Sequence, residues 1–126
     1  MMKTRREQRI RVIEILYTMD MQGIDEFEAT EVEFVNEIIN GVLKHQSMID
    51  ELIQNHLIKY TLKRLSYVER AILRMATFEI YGTKTPAEIV INEALEIARQ
   101  YSDEGDGKSV KFTNSVLDKI KMALKK

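Results

Sequence analysis

The sequence predicts an all-α fold, in which helices pack around one hydrophobic core. Only one proline and five glycines occur among 126 residues, too few to punctuate a series of strands and turns. Leu, Ile, Glu and Lys recur instead at spacings of three and four residues, which is the period of a helix. A chain of this length with 44% hydrophobic residues fits a single domain over residues 1–126.

The first three helices are predicted from apolar periodicity. From Arg9 to Met21 apolar residues cover most of the helical surface, so we expect this helix in the middle of the bundle. Its narrow polar stripe consists of Arg11, Glu14, Thr18 and Gln22. After a turn near Gly23, a second helix is indicated by the apolar positions Phe34, Val35, Ile38, Ile39 and Val42. Ser47, with Asp50 three residues later, is expected to cap a third helix.

The next two helices carry the strongest start signals. Ser66 followed by Glu69 makes a capping box, in which each side chain satisfies a backbone N–H at the helix entrance. This helix should run to about Tyr81 and stop at Gly82. Residues 85–88, Thr-Pro-Ala-Glu, repeat the pattern with proline at the first helical position, where its missing donor costs nothing.

A final helix is predicted after a loop at residues 102–109, with Lys108 and Lys111 at its entrance beside Phe112. Backbone donors at a helix start favour an anion, and an exposed aromatic ring can stack on an unpaired base. Phe112 therefore has two interpretations, a surface on which an unpaired base stacks or a core residue. We favour the stacking surface, because an apolar stripe already supplies a buried face without it. That stripe consists of Val110, Val116, Leu117, Ile120 and Leu124.

The composition excludes several classes of protein. There are no cysteines, which rules out disulfides, thiol nucleophiles, zinc ribbons and iron–sulfur ligation. Nineteen Lys and Arg balance 20 Asp and Glu to a net charge of −1, so no globally basic nucleic-acid coat is present. No apolar run approaches the ~18 residues of a membrane span, and the amino terminus is charged where a secretory signal is apolar. We expect a cytoplasmic protein with no membrane association.

Nothing in the sequence argues for catalysis, a metal or a cofactor. His45 and His56 are the only histidines, eleven residues apart and without a third ligand nearby. Glu88, Glu93 and Glu96 share one helix, where paired carboxylates could do acid–base work; we favour the alternative, helix capping and a solvated face. No nucleophile elbow or phosphate-binding glycine loop is present. We therefore expect no enzyme activity.

Charge is distributed unevenly at the amino-terminal end. Residues 1–11 carry five basic side chains against one acidic one, whereas residues 12–43 hold eight acidic residues and no basic one. The basic residues are Lys3, Arg5, Arg6, Arg9 and Arg11. On a helix Arg5, Arg6 and Arg9 form one cluster, and arginine suits phosphate because its planar fork donates two hydrogen bonds. Two interpretations stay open on charge alone, an RNA-binding cluster or a solubilising terminus.

Four stretches, in order and at similar separations, resemble the NusB family of bacterial transcription antitermination factors across nearly the full length. They are the arginine-rich start leading to LYTMD (16–20), RLSYVERAILRMATFEI (64–80), PAEIVINEALEIA (86–98) and KFTNSVLDKI (111–120). The chain departs from the family pattern at Thr113 and Ser115, where an aliphatic residue and a glycine are usual. The loop at 102–109 is longer, and Glu7 and Gln8 interrupt the arginine run. Residues 22–60 carry little family signature.

The resemblance implies a compact bundle of about six to seven helices in two subbundles. It also implies a non-enzymatic factor that binds the single-stranded boxA element of ribosomal RNA leader transcripts. It would act together with NusE, a ribosomal protein, and help RNA polymerase resist termination. The RNA-binding residues are expected to be Lys3, Arg5, Arg6, Arg9, Lys108, Lys111 and Phe112. Tyr17, Glu69 and Arg70 are the contacts that the resemblance suggests for NusE.

Other functions remain to be distinguished. A NusB-like domain also occurs in certain ribosomal RNA cytosine methyltransferases, but here the chain ends at Lys126 with no methyltransferase following. It would then be at most a detached substrate-recognition module. A further alternative is a purely protein-binding helical adaptor, in which the arginines only solubilise the chain. A homodimer is also possible and would hide the arginine face.

Overall fold

The computed structural model describes residues 4–126, and within them it contains six α-helices, one short 3₁₀ helix and no strand. The helices are α1 (Arg5–Gln22), α2 (Glu33–Lys44), α3 (Gln46–Gln54), the 3₁₀ helix (Leu62–Arg64), α4 (Tyr67–Gly82), α5 (Ala87–Tyr101) and α6 (Lys108–Ala123). The all-α prediction is confirmed. Lys3, a predicted RNA contact, lies outside the described residues. No helix in residues 4–126 is both long and apolar enough to cross a membrane.

Helix α4 occupies the centre of the bundle, because each of the other five α-helices packs against it. Nine of its sixteen residues are buried. Helices α1 and α2 pack against each other on α4, and so do α5 and α6, which gives two groups that share α4. Helix α3 contacts α4 and reaches both groups through α2 and α6.

The central position predicted for the first helix is wrong. Helix α1 buries only five of its eighteen residues, namely Arg9, Val12, Ile13, Leu16 and Met19. The rest of its apolar surface faces outward or lines an open groove: Ile10 and Tyr17 are half-buried, and Met21 is 48% exposed. The apolar residues of α1 therefore form two surfaces. One packs in the core, and the other is not covered by any helix of residues 4–126.

The helix ends follow the sequence signals in three of five cases, and α4 ends at Gly82 as predicted. The Ser66–Glu69 capping box is confirmed, because Ser66 Oγ accepts from Glu69 N at 3.1 Å and Glu69 Oε1 accepts from Ser66 N at 3.4 Å. Gly23 ends α1 in the left-handed conformation with φ +68°, which a residue without a Cβ adopts at no steric cost. Thr4, which the sequence did not single out, caps α1 by accepting from Glu7 N at 3.1 Å.

The two other predicted caps are wrong. Ser47 lies inside α3, and Asp50 binds Arg74 of α4 with Oδ1 and Oδ2 at 2.8 and 3.0 Å instead of capping its own helix. At the start of α5, Pro86 is the cap residue rather than the first helical residue, and no side chain caps this end. In both cases the carboxylate forms an ion pair with a cation in another helix. Asp50 pairs with Arg74, and Glu88 Oε1 accepts from Lys121 Nζ at 2.7 Å.

Candidate nucleic-acid and partner interface

Arg9, predicted to bind RNA, lies in the interior. Its side chain is 4% exposed, and it donates from Nε and NH2 to the two carboxylate oxygens of Glu79, both at 2.8 Å. Glu79 is fully buried in α4. The prediction of an exposed arginine is wrong because Arg9 faces the core side of α1, and its charge is already matched within the bundle. Arg9 therefore joins α1 to α4 and has no free surface for a phosphate.

Of the predicted cluster of Arg5, Arg6 and Arg9, the first two residues are exposed. The Arg6 side chain is 46% exposed and donates to both oxygens of Glu93, from Nε at 3.0 Å and from NH2 at 2.7 Å. The Arg5 guanidinium lies over the Phe34 ring, 4.1 Å from its centroid, and donates to Gln8 Oε1 at 2.9 Å. Both guanidinium groups are thus held in position while part of each faces solvent.

The Arg6–Glu93 pair makes a pH prediction. Hydrogen bonding from Arg6 lowers the pKa of Glu93 below its ordinary 4.5, against the opposing effect of partial burial. A carboxylate with a lowered folded-state pKa stabilises the fold above its unfolded pKa, and this contribution is lost as the pH falls through the folded value. Replacing Arg6 with glutamine should therefore raise the pKa of Glu93. An NMR titration of the Glu93 carboxyl measures it; an unchanged midpoint would show that Arg6 does not set this pKa.

At the start of α6, the second predicted RNA site, carboxylates of the preceding loop occupy backbone N–H groups that were expected to bind an anion. Asp106 Oδ1 accepts from Lys108 N at 3.0 Å, and Asp103 Oδ2 accepts from the backbone of Gly105 and Gly107 at 3.0 and 3.2 Å. The side chains of Lys108 and Lys111 are exposed. Cationic side chains, rather than helix amides, are therefore what this end offers to a phosphate.

Phe112 lies between the two predicted positions, one in the core and one at the surface. It is half-buried and packs against the edge of the core. It also meets the ring of Tyr60 edge-on, with centroids 6.2 Å apart and an interplanar angle of 87°. The Tyr60–Phe112 pair lies between two surface hollows, each of which both rings line. Phe112 thus keeps part of its ring at the surface, beside Lys108 and Lys111.

The structure separates the predicted RNA residues into two groups. Arg9 of α1 binds Glu79 near the end of α4, whereas Ser109 of α6 lies 3.5 Å from Glu69 near the start of α4. Ten residues along a helix correspond to about 15 Å. The predicted contacts at the start of α1 and those at the entrance of α6 therefore lie near opposite ends of α4.

The residues predicted to contact a protein partner surround the start of α4. Tyr17 meets Tyr67 edge-on with ring centroids 6.0 Å apart, and the Arg70 guanidinium lies 4.3 Å above the Tyr67 ring. Arg70 Nε is also 2.9 Å from Asp20 Oδ2, and the Arg70 side chain is only 11% exposed. Glu69 points to the other side, toward Ser66 and α6. Tyr17 and Arg70 therefore share one cluster, and Glu69 borders it.

An apolar groove of about 360 Å³ lies next to this cluster. Its walls come from α1, α4 and α5, which leave a gap where the outward-facing side of α1 is not covered. The lining residues are Ile10, Ile13, Glu14, Tyr17, Thr18, Val68, Ile97 and Tyr101. An apolar groove that carries a half-buried tyrosine, Tyr17, and an exposed one, Tyr101, has the composition of a protein-binding surface.

Comparison with known proteins identifies the family. The model of the NusB family matches residues 6–122. The chain belongs to the NusB family. It is 39% identical to the transcription antitermination protein NusB of Geobacillus kaustophilus, with 97% of this chain and 98% of the relative aligned. It is 37% identical to NusB of Bacillus subtilis, with 93% and 94% aligned.

Solved NusB structures share the fold. NusB of T. maritima superimposes with a TM-score of 0.80 at 36% identity, covering 95% of this chain and 92% of that one. A crystal structure of antitermination factors NusB and NusE in complex with dsRNA contains a chain with a TM-score of 0.79 at 27% identity, covering 98% of this chain and 99% of that one. The family resemblance read from the four sequence stretches is thereby confirmed.

The ion-pair roles of several charged residues of this NusB-family chain were not predicted from the sequence. Glu79 and Glu93 fix Arg9 and Arg6, and Arg74 holds α1 and α3 through Asp20 and Asp50. A signal existed for Glu79, because a single acid stands among the apolar residues that follow Arg74. Tyr60 lies in a segment without family signature, and no sequence pattern pairs it with Phe112.

Proposed function

We propose that this NusB-family chain is a non-enzymatic transcription antitermination factor that binds boxA RNA together with NusE. The observation that carries the proposal is its match, over 98% of its length, to the NusB chain of a NusB–NusE–RNA complex. The antitermination function named for its relatives, each aligned over more than nine-tenths of this chain, supports it. Such a factor works in the compartment of transcription, the bacterial cytoplasm, as part of the polymerase antitermination complex.

The mechanism uses two kinds of RNA contact. Arg5 and Arg6 at the start of α1, and Lys108 and Lys111 at the start of α6, bind phosphates and make the affinity dependent on salt. Phe112 contributes a ring surface on which an unpaired base stacks. With a net charge of −1, the chain alone binds RNA modestly. A basic partner such as a ribosomal protein adds the missing charge and is attracted by the acidic residues of the segment 12–43.

The arginine contacts are tested by replacing Arg5 and Arg6 with glutamine in one variant. Each lost phosphate contact should flatten the dependence of log affinity on log salt by about 0.7 for a single strand. The melting temperature should change little, because exposed ion pairs contribute little to stability. Filter binding with boxA RNA at several salt concentrations measures the slope. Arg99→Gln, which removes an exposed arginine from α5, is the matched control. A wild-type slope in the double variant would remove this end of α1 from the RNA site.

The partner contact is tested by replacing Glu69 with glutamine. Glutamine keeps an oxygen that can accept from Ser66, so the capping box and the melting temperature should persist. Loss of the negative charge should weaken NusE binding, measured by pull-down with the purified protein. Glu51→Gln, at an exposed position of α3, is the control for charge alone. Equal capture of NusE by all three proteins would exclude a charge role for Glu69.

A further inference from the structure

A cleft of about 410 Å³ lies between the segment that precedes α4 and the entrance of α6. Its lining includes Tyr60 and Arg64 from that segment and Lys108 and Phe112 from α6. Lys108 and Phe112 belong to the predicted RNA surface, whereas Tyr60 and Arg64 do not. The cleft therefore brings two unassigned side chains together with two of the predicted α6 contacts.

Tyr60 presents an aromatic ring to solvent in a fixed position. It is 53% exposed, and its ring meets the Phe112 ring at nearly a right angle, with centroids 6.2 Å apart. Its loop is tied to the end of α3 by Gln54, whose Nε2 donates to Tyr60 O at 3.2 Å and whose Oε1 accepts from Leu62 N at 2.8 Å. Gln54 thus holds the backbone of the loop and the Phe112 contact restricts the ring, which reduces the conformational freedom lost when a flat ligand stacks on it.

The polar groups of the cleft suit a nucleotide better than a simple anion. Arg64 and Lys108 supply positive charge, but Glu69, Glu104 and Asp106 also line the cleft, so its charge is mixed. Asp106 is held by the backbone of α6 through Lys108 N. A phosphate requires the cations, an aromatic base requires the ring, and carboxylates accept from base amino groups. A nucleotide satisfies all three.

We propose that the Tyr60–Arg64 cleft is a subsite for one unpaired nucleotide of the bound RNA. The base stacks on the exposed face of Tyr60 beside Phe112, and Arg64 donates to the adjoining phosphate. The inference rests on the proposed RNA-binding function. Tyr60 lies outside the four stretches that carried the family resemblance, and Arg64 lies in one of them but is not among its expected contacts. Tyr60 and Arg64 thus become determinants of single-strand binding at the α6 end.

The test measures affinity for a single-stranded boxA RNA oligonucleotide. Tyr60→Ala should weaken binding about 5- to 150-fold, the range for losing one stacked base, and Tyr60→Phe should keep the wild-type affinity. Arg64→Gln should flatten the salt slope by about 0.7. Tyr81→Ala is the matched control, because Tyr81 is 41% exposed near the opposite end of α4. Circular dichroism and thermal melting verify that each variant is folded.

A series of boxA oligonucleotides, each lacking one base, locates the stacked position. At one position the loss of the base and the loss of the Tyr60 ring should not add, since both remove the same contact. Wild-type affinity in folded Tyr60→Ala, or full additivity at every position, would overturn the subsite. If Arg5 and Arg6 matter and Tyr60 does not, only the subsite fails. If the wild-type protein binds no boxA RNA, the proposed function fails and the subsite with it.

Discussion

Replacing Glu79 with glutamine is expected to lower the free energy of unfolding by about 3 to 5 kcal/mol, the usual cost of leaving one partner of a buried ion pair alone. Arg9 donates two hydrogen bonds of 2.8 Å to the Glu79 carboxylate, and neither side chain is accessible to a compensating solvent ion. In the variant the buried guanidinium keeps one acceptor on residue 79, and the nearest remaining carboxylate oxygen is that of Glu93, 4.0 Å from NH1. Urea unfolding, with the slope checked against wild type, measures the loss.

The double variant Arg9→Met, Glu79→Leu provides the control. It removes both charges and refills the space with apolar atoms of similar size, so it should recover most of the stability lost by Glu79→Gln. It should also leave RNA affinity close to the wild-type value, because Arg9 has no surface for a phosphate. A Glu79→Gln loss below about 1 kcal/mol, the typical net contribution of one hydrogen bond, would contradict the proposed role of the pair.

Phe78→Ala is expected to cost about 3 to 5 kcal/mol, as for a buried aromatic residue truncated in a core. Phe78 is 7% exposed and its ring lies against the backbone of Gly41 in α2. A Cβ added at Gly41 would overlap the Phe78 Cζ atom, and one added at Gly82 would lie 2.8 Å from Phe78 Cε1. The absence of a side chain at Gly41 is therefore what lets α2 approach α4 across this ring.

The close approach of Gly41 to the Phe78 ring predicts that the effect of a substitution at Gly41 depends on the residue at position 78. Gly41→Ala should destabilise the wild-type protein by about 1 to 3 kcal/mol through overpacking. In the Phe78→Ala background the obstacle is gone, so the same change should stabilise by up to about 1 kcal/mol, the helix preference of alanine over glycine. Urea unfolding of the four proteins gives both values. The same sign in both backgrounds would contradict the account of Gly41.

Local signals in the sequence predicted the helices well but predicted poorly what their polar side chains bind. The Ser66–Glu69 box and the Gly23 terminus depend on neighbouring backbone groups, so a single sequence contains them. Asp50 and Glu88 were read as local caps, yet they bind Arg74 and Lys121 in other helices. Such pairs depend on how helices cross, which periodicity does not specify.

The same reason limits prediction of the interface. Charge and spacing placed Arg5, Arg6 and Arg9 in one cluster, but only the position of α4 reveals that Arg9 turns inward to Glu79. The exposure of Lys108 and Lys111 followed from the pattern of α6. Tyr60 is found only when the chain is folded, because it reaches Phe112 from a segment 52 residues earlier.

The most direct test of the central claim is a mobility-shift titration of this protein with boxA RNA, in the presence and absence of NusE. The titrations are repeated with a scrambled RNA and with a duplex of the boxA sequence. All of them are carried out at one salt concentration, so that the affinities can be compared. We expect the protein and NusE together to bind single-stranded boxA more tightly than either does alone, and more tightly than both comparison RNAs. Equal affinity for boxA and the scrambled RNA, with NusE present, would contradict the account.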